Sequence, residues 1–199
     1  MIDINKLDSG YLKLELKNYN IVQVIGNITL SVVKYIKSNN INIIFDTQVE
    51  EKMMACDVDK IERVMLNLLS NAVKFTKDNG EIRVNIDSKD EHVIISVKDT
   101  GIGIPEDMRD KIFERFKQVD VPLSKRAEGS GIGLSLVKSI IQLHGGDIRV
   151  KSEYGKGSEF IIALPVKMAQ EEALNQDETA VSSEKNVERI HIEFSDIYA

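Results

Sequence analysis

The chain has 199 residues, a formal net charge of −6 and a single cysteine. That length can bury the core of one domain and leave an extension. The negative charge argues against a general affinity for nucleic acid or anionic membrane, and a lone Cys56 excludes a disulfide framework or a multi-cysteine metal site. No apolar run approaches the roughly 20 residues that span a bilayer, and no basic-then-apolar leader is present. A soluble, cytoplasmic piece is expected, with the full-length protein's attachment to a membrane left open.

In chain order, Ile4, Leu7 and Tyr11 sit at helical spacing. The alternation Leu12, Leu14, Leu16 follows, so residues 1–17 predict a helix tail running into a strand. Val22, Ile25, Ile28, Val32 and Val33 predict an amphipathic helix over 21–36. Strands are expected at 41–45 and 53–56. Asp57 is then placed to cap a helix striped by Ile61, Val64, Leu68, Ala72 and Phe75. After a turn at 77–80, strands are predicted near 81–87 and 92–98, each alternating apolar and polar residues.

Pro105 introduces a short helix expected near 107–116, and residues 117–130, polar and aperiodic, predict a lid-like loop. A helix near 132–144 should stop at His144-Gly145-Gly146, before a hairpin of strands 147–152 and 158–164. Pro165 closes the globular part. The acidic residues 166–188 predict a disordered linker, and 189–198 alternate like an edge strand or a solvated tail. The division expected is a connector at 1–17, a domain at 18–166 and a linker with tail at 167–199. Helices and strands do not alternate strictly. The expected fold is therefore α+β, a two-layer sandwich of one mixed sheet with helices on a single face.

Two glycine-rich segments and one helix face carry the chemistry. The segments are Asp99-Thr100-Gly101-Ile102-Gly103-Ile104-Pro105 and Gly129-Ser130-Gly131-Ile132-Gly133-Leu134. Glycine lets a ligand approach the backbone closely, and the second segment opens into a helix, whose N-terminal N–H groups suit phosphate. Neither is a G-x-x-x-x-G-K-[ST] loop or a G-x-G-x-x-G dinucleotide fingerprint, and each alone reads as an ordinary turn. On the helix after Asp57, Asn67, Asn71 and Lys74 share one face. A solvated polar stripe is the simpler reading. Against it, two mid-helix asparagines cost helix stability while offering neutral oxygens suited to Mg²⁺, and Lys74 adds a charge for phosphate. Asp99, at a strand end, either starts a turn or accepts a hydrogen bond from an amino group.

With these residues assembled, the chain resembles the ATP-binding catalytic domain of sensor histidine kinases, a branch of the superfamily that includes gyrase, mismatch-repair and heat-shock chaperone ATPases. The resemblance covers residues 21–165. Asn67 to Phe75 resembles the N box, Asp99 to Gly103 the first G box, Ile112 to Phe116 the F box, and Gly129 to Leu134 the second G box. Gly155 to Phe160 is similar to the closing Gly-Thr block, with Ser158 in the Thr position.

The resemblance implies a Bergerat-type fold binding ATP and Mg²⁺. Asn71 would ligate the metal, Asn67 would support it, and Lys74 would contact phosphate. Asp99 would read the adenine amino group, and Gly101, Gly103 and Ile104 would receive the base. Gly129, Ser130, Gly131, Ile132, Gly133 and Leu134 would wrap the phosphates, with Lys125 and Arg126 as lid cations and Ser158 in a water-mediated adenine contact. Phe113 and Phe116 would anchor the lid or simply pack in the core.

The implied reaction is transfer of the γ-phosphoryl group to a histidine on a dimerisation helix, and onward to a response-regulator receiver domain. The full-length protein would be a homodimer; this chain itself could stand as a monomer. His92, His144 and His191 all lack the acidic residue that follows an acceptor histidine. The chain is therefore expected to be the C-terminal part of a longer kinase, unable to phosphorylate itself. Two rivals stand beside this. A serine kinase of the anti-sigma type, or a plain ATPase, is disfavoured by the F box and by residues 1–17. A partner-docking module is disfavoured by intact N and G boxes.

Overall fold

The computed structural model describes residues 13–117 and 131–170. Seven strands and three α-helices follow in the order β1 (Lys17–Asn20), α1 (Ile21–Ser38), β2 (Asn42–Thr47), β3 (Met53–Cys56), α2 (Val58–Phe75), β4 (Glu81–Lys89), β5 (His92–Asp99), α3 (Gly133–Leu143), β6 (Asp147–Glu153) and β7 (Gly157–Pro165). β2, β4, β5, β7 and β6 form one sheet in that spatial order, parallel only between β2 and β4. The helices cover one face of it, with α2 between α1 and α3. This is the expected two-layer α+β sandwich with a mixed sheet.

Strand alternation decides which face is buried. Register aligns inward rows across the sheet: Val84, Val97, Phe160 and Val150 form one, and Ile86, Ile95, Ile162 and Ile148 the next. Against these rows α2 packs Ile61, Val64, Met65, Leu68, Leu69 and Ala72, all buried. Burying such a side chain contributes about 1.5–3 kcal/mol, so the helix is held mainly by its apolar face. Asp57 caps it as expected, its Oδ1 accepting from the Lys60 N–H at 3.1 Å. Gly145, at φ +77°, ends α3 as expected, and the Gly146 N–H returns to the Ile141 carbonyl at 2.9 Å.

Three expectations are corrected. Residues 13–16 belong to no strand; β1 lies at Lys17–Asn20 and pairs antiparallel with β3 in a separate two-stranded sheet. The register is set by Asn20, which caps α1 through the Val22 N–H and also accepts from the Lys52 N–H. In place of a helix over 107–116 stand two 3₁₀ turns, Glu106–Met108 and Lys111–Phe113. Only Ile112 is buried there, too small an apolar stripe to offset helix nucleation. The third concerns the core-packing alternative for Phe116, which is 72% exposed; the lid it would otherwise anchor lies outside the described residues. Beyond β7 the chain runs along β3: the Ala55 N–H donates to the Lys167 carbonyl at 2.7 Å. Asn18 meets Ala169 twice, accepting from its N–H and donating to its carbonyl.

Candidate functional site

Sequence periodicity buries nearly all of α2 between Ile61 and Val73; Arg63, Asn67 and Asn71 remain half-exposed, and Lys74 and Phe75 follow them. These positions fall on one helix face, which is the open side of the core. The Asn71 Nδ2 donates to the Asn67 Oδ1 at 3.2 Å. That bond assigns the Asn71 amide, consuming one of its N–H groups and leaving its carbonyl oxygen available. The Asn67 amide lies directly against Gly133, where a Cβ would overlap its Nδ2. The asparagine pair and the start of α3 are thus brought together. Lys74 holds its Nζ 5.6 Å from the Phe75 ring centroid.

α3 begins at Gly133 with Ile132 as N-cap, and among the described residues no side chain caps it. Its first full backbone bond is Leu136 N–H to Ile132 carbonyl, 3.0 Å. The N–H groups of Gly133, Leu134 and Ser135 therefore have no helical acceptor and carry the positive end of the dipole. Leu134 is half-buried against the core. Gly131, at φ +66°, accepts at its carbonyl from the Phe116 N–H at 2.9 Å, and Phe116 is itself left-handed at φ +61°. Phe113 packs edge-on against Phe160, centroids 6.3 Å apart, and receives Lys138 over its ring. Gly129, Ser130, Lys125 and Arg126 lie outside the described residues.

At the other end, one inward row of the sheet turns polar: Ile82, Asp99, Ser158 and Ser152 are aligned across β4, β5, β7 and β6. Asp99 is 5% exposed. Burial pushes its carboxyl up to about 6, opposed by the backbone N–H groups of Gly101 and Ser158 that bond to it. The Gly101 bond is 2.8 Å. A Cβ at Gly101 would come within 2.5 Å of the Phe75 carbonyl, the group that also accepts from the Ile102 N–H at 3.2 Å. Gly103 is left-handed, φ +68°, and a Cβ there would strike the Glu153 carbonyl. So the first glycine loop is pinned between the end of α2 and the β6–β7 hairpin, whose Gly155 N–H donates to the Ile102 carbonyl at 2.7 Å.

Sequence reading missed Ser152. Its hydroxyl accepts from the Ile104 N–H at 2.7 Å, donates to the Gly157 carbonyl at 2.9 Å and meets the Ser158 hydroxyl at 3.0 Å. The available signal was a polar residue in the inward register of Ile148 and Val150.

Fold and site together define a class: a buried carboxylate behind a glycine loop at one end, and an uncapped helix start beside paired amides at the other. Residues 56–168 match the family described as histidine kinase-, DNA gyrase B-, and HSP90-like ATPase. The chain belongs to that family. It is 29% identical over 167 residues to the circadian input-output histidine kinase CikA of Synechococcus elongatus, covering 83% of this chain and 22% of CikA. Such curated relatives are much longer: three of them are covered over only 12% to 22% of their length.

Among solved structures, the nucleotide-free catalytic domain of histidine kinase ThkA superposes with a TM-score of 0.68 at 30% identity, covering 77% of this chain and 97% of that one. ThkA has also been solved in complex with the response regulator protein TrrA. Full-length ShkA in complex with AMPPNP gives a TM-score of 0.74 at 28% identity, covering 83% of this chain and 34% of ShkA.

The residues present fit a hard divalent cation carried on phosphates. Among the described residues no group of His, Cys, Asp and Glu could hold a metal unaided. The oriented Asn71 carbonyl is a neutral oxygen of the kind Mg²⁺ accepts when phosphate oxygens and waters complete its shell. Among the described residues no helix is long and apolar enough to cross a membrane.

Proposed function

We propose that this domain binds Mg-ATP and donates the γ-phosphoryl group to a histidine on a dimerisation helix, for onward transfer to the receiver domain of a response regulator. The observation that carries the reading is the packing of the Asn67 amide on Gly133. It joins the metal-type ligand Asn71 to the uncapped N–H groups of α3, which is where a triphosphate would need both. The kinase names of the relatives, ShkA solved with an ATP analogue and ThkA solved with its regulator support the same assignment.

In this reading Asp99, ionised, accepts from the adenine amino group, and Gly101 and Gly103 let the loop pack tightly enough on the end of α2 and the β6–β7 hairpin to receive the base. Ser158 belongs to the same polar row and meets the base end through water. The N–H groups of Gly133 and Leu134 hold phosphate oxygens, with Gly129, Ser130, Gly131 and Ile132 continuing that loop. Lys74, Lys125 and Arg126 supply positive charge toward the terminal phosphate, and Ile104 walls the base side. Bound Mg²⁺ neutralises charge on the phosphates. Phosphoryl transfer needs mostly positioning and charge stabilisation, and these residues provide both. The domain would act in the cytoplasm as the catalytic part of a homodimeric kinase.

The test supplies γ-labelled ATP and a separately made dimerisation-helix domain. Label stable to alkali and labile to acid should appear on that domain's histidine. ATP binding without transfer would overturn the kinase reading, and failure to bind ATP would overturn the site itself.

A further inference from the structure

The polar row Asp99, Ser158, Ser152 contains a proton count that closes. A serine hydroxyl donates one hydrogen bond and accepts two. Ser152 spends its proton on the Gly157 carbonyl, at 2.9 Å, and one acceptor site on the Ile104 N–H, at 2.7 Å. Its remaining contact, 3.0 Å to the Ser158 Oγ, can then only be accepted, so the proton in it comes from Ser158. Ser158 stands directly opposite Asp99 and on the same inward face, 7% exposed. With its proton drawn toward Ser152, it offers only lone pairs elsewhere. The nearby backbone donors are also engaged: Gly101 and Ser158 N–H bond the Asp99 carboxyl, and Ile104 N–H bonds Ser152.

We infer that Ser152 is a specificity-determining positioning residue that holds the Ser158 hydroxyl as an acceptor at the base end, favouring a 6-amino purine over a 6-oxo purine. An amino group donates and is satisfied by acceptors. A 6-oxo group arriving at the same place faces the Asp99 carboxylate and the lone pairs of Ser158, acceptor against acceptor, a mismatch that sites of this kind convert into discrimination. Ser152 need not touch the nucleotide. It acts through the direction of the Ser158 proton, while tying Ile104 and Gly157 into one frame.

This rests on the proposed reading of Asp99 as the purine contact, and the test separates the two. Dissociation constants for ATP and inosine triphosphate are measured by calorimetry on the whole chain, wild type, Ser152→Ala and Ser152→Thr. Wild type should prefer ATP; equal binding of the two would overturn the Asp99 reading. In Ser152→Ala the freed Ser158 hydroxyl can turn and donate to a 6-oxo group. The ATP-to-ITP preference should therefore fall by about tenfold, an unpaired-group loss of ordinary size, with ITP binding unchanged or tighter. Ser152→Thr, which keeps the hydroxyl, should retain the preference. Equal weakening of both nucleotides in Ser152→Ala would mean a merely structural role and overturn the inference. Should that variant fail to fold, Ser152→Cys, with a poor acceptor of similar shape, is read by the same criterion.

Discussion

The Asn67 side-chain amide occupies the space a methyl group would need at Gly133, so the middle of α2 and the first residue of α3 touch through a side chain and a bare Cα. Gly133 has no left-handed φ, so its glycine is required by space and not by backbone conformation. Gly133→Ala should therefore keep the helix, and even favour it by propensity, while displacing Asn67 and with it the Asn71 amide it orients. ATP affinity in the presence of Mg²⁺ should fall about tenfold or more, and affinity in EDTA should fall less. Calorimetric titrations with and without the metal check this; equal losses would detach Asn67 from the metal end.

Burial of the Asp99 carboxylate costs the folded domain stability at neutral pH, and in the proposed reading the same ionised group binds the base. Its folded pKa of about 6 lies above the 3.8 of an ordinary carboxyl, so its contribution to stability is fully present below about 3.8 and lost as pH rises through 6. At pH 7 the cost is on the order of 3 kcal/mol. The stability of wild type relative to Asp99→Asn should increase on acidification from pH 7.5 to 4.5, read by urea unfolding. His144, whose pKa is lowered, acts in the opposite sense but cancels in this difference. ATP binding should run the other way: wild-type affinity declines below pH 6, while Asp99→Asn binds about 100-fold more weakly than wild type at pH 7.5 and shows no such decline, so the gap narrows on acidification. A flat wild-type profile would mean that Asp99 does not meet the amino group.

How far the residues announce these arrangements depends on the range of the interaction. Asp57, the α2 stripe and the β4 and β5 ladders are local patterns with period 3.6 or 2, and they stand where periodicity puts them. The Asn67 and Asn71 face was legible for the same reason. β1 slipped by several residues because its register comes from Asn20 and the β3 edge, a pairing some 35 residues distant that leaves no local trace. Ser152 went unread because an inward serine has no meaning until β6, β7 and the first glycine loop meet. The two 3₁₀ turns carry Met108, Ile112 and Phe113 at helix-like spacing, so periodicity alone does not tell them from a helix.

Phe113 and Phe116, three residues apart in one block, should behave oppositely. Phe113 packs on Phe160 and under Lys138, so Phe113→Ala should cost about 1–3 kcal/mol, somewhat less than a fully buried phenylalanine. Phe116 is 72% exposed and left-handed at φ +61°, a conformation costing a non-glycine residue about 1–2 kcal/mol. Phe116→Gly should leave stability unchanged or raise it by up to about 1 kcal/mol, since the gain is offset by added chain entropy. Denaturant midpoints of the two variants decide the matter, and a large loss in Phe116→Gly would refute the assignment of its ring to solvent.

His144 closes α3 and reaches across to the start of α2, and both ring nitrogens are used. Nδ1 lies 2.9 Å from the Ile140 carbonyl, which can only accept, so Nδ1 carries the proton. Nε2 receives the Asp57 N–H at 3.1 Å and is therefore bare. Burial holds the ring's pKa below the usual imidazole value, against the Ile140 carbonyl and the Asp57 charge. The only nucleophilic nitrogen is thus engaged and turned into the protein, so His144 should take no phosphoryl group. Incubating the chain alone with γ-labelled ATP should leave it unlabelled at this residue, by peptide mapping. The stability signature follows from the same bonds. Because protonation is disfavoured in the fold, the contribution of His144 is full above the ordinary imidazole value of 6.5 and is lost as pH falls below it. Protonated Nε2 would also face the Asp57 N–H donor to donor. His144→Ala leaves that N–H unpaired and should cost about 1–3 kcal/mol at pH 8, with a smaller loss at pH 5.5. His144→Gln, whose amide oxygen can accept from Asp57, should recover part of it. A cost that does not change between the two pH values would show that the ring is held by packing and not by its two hydrogen bonds.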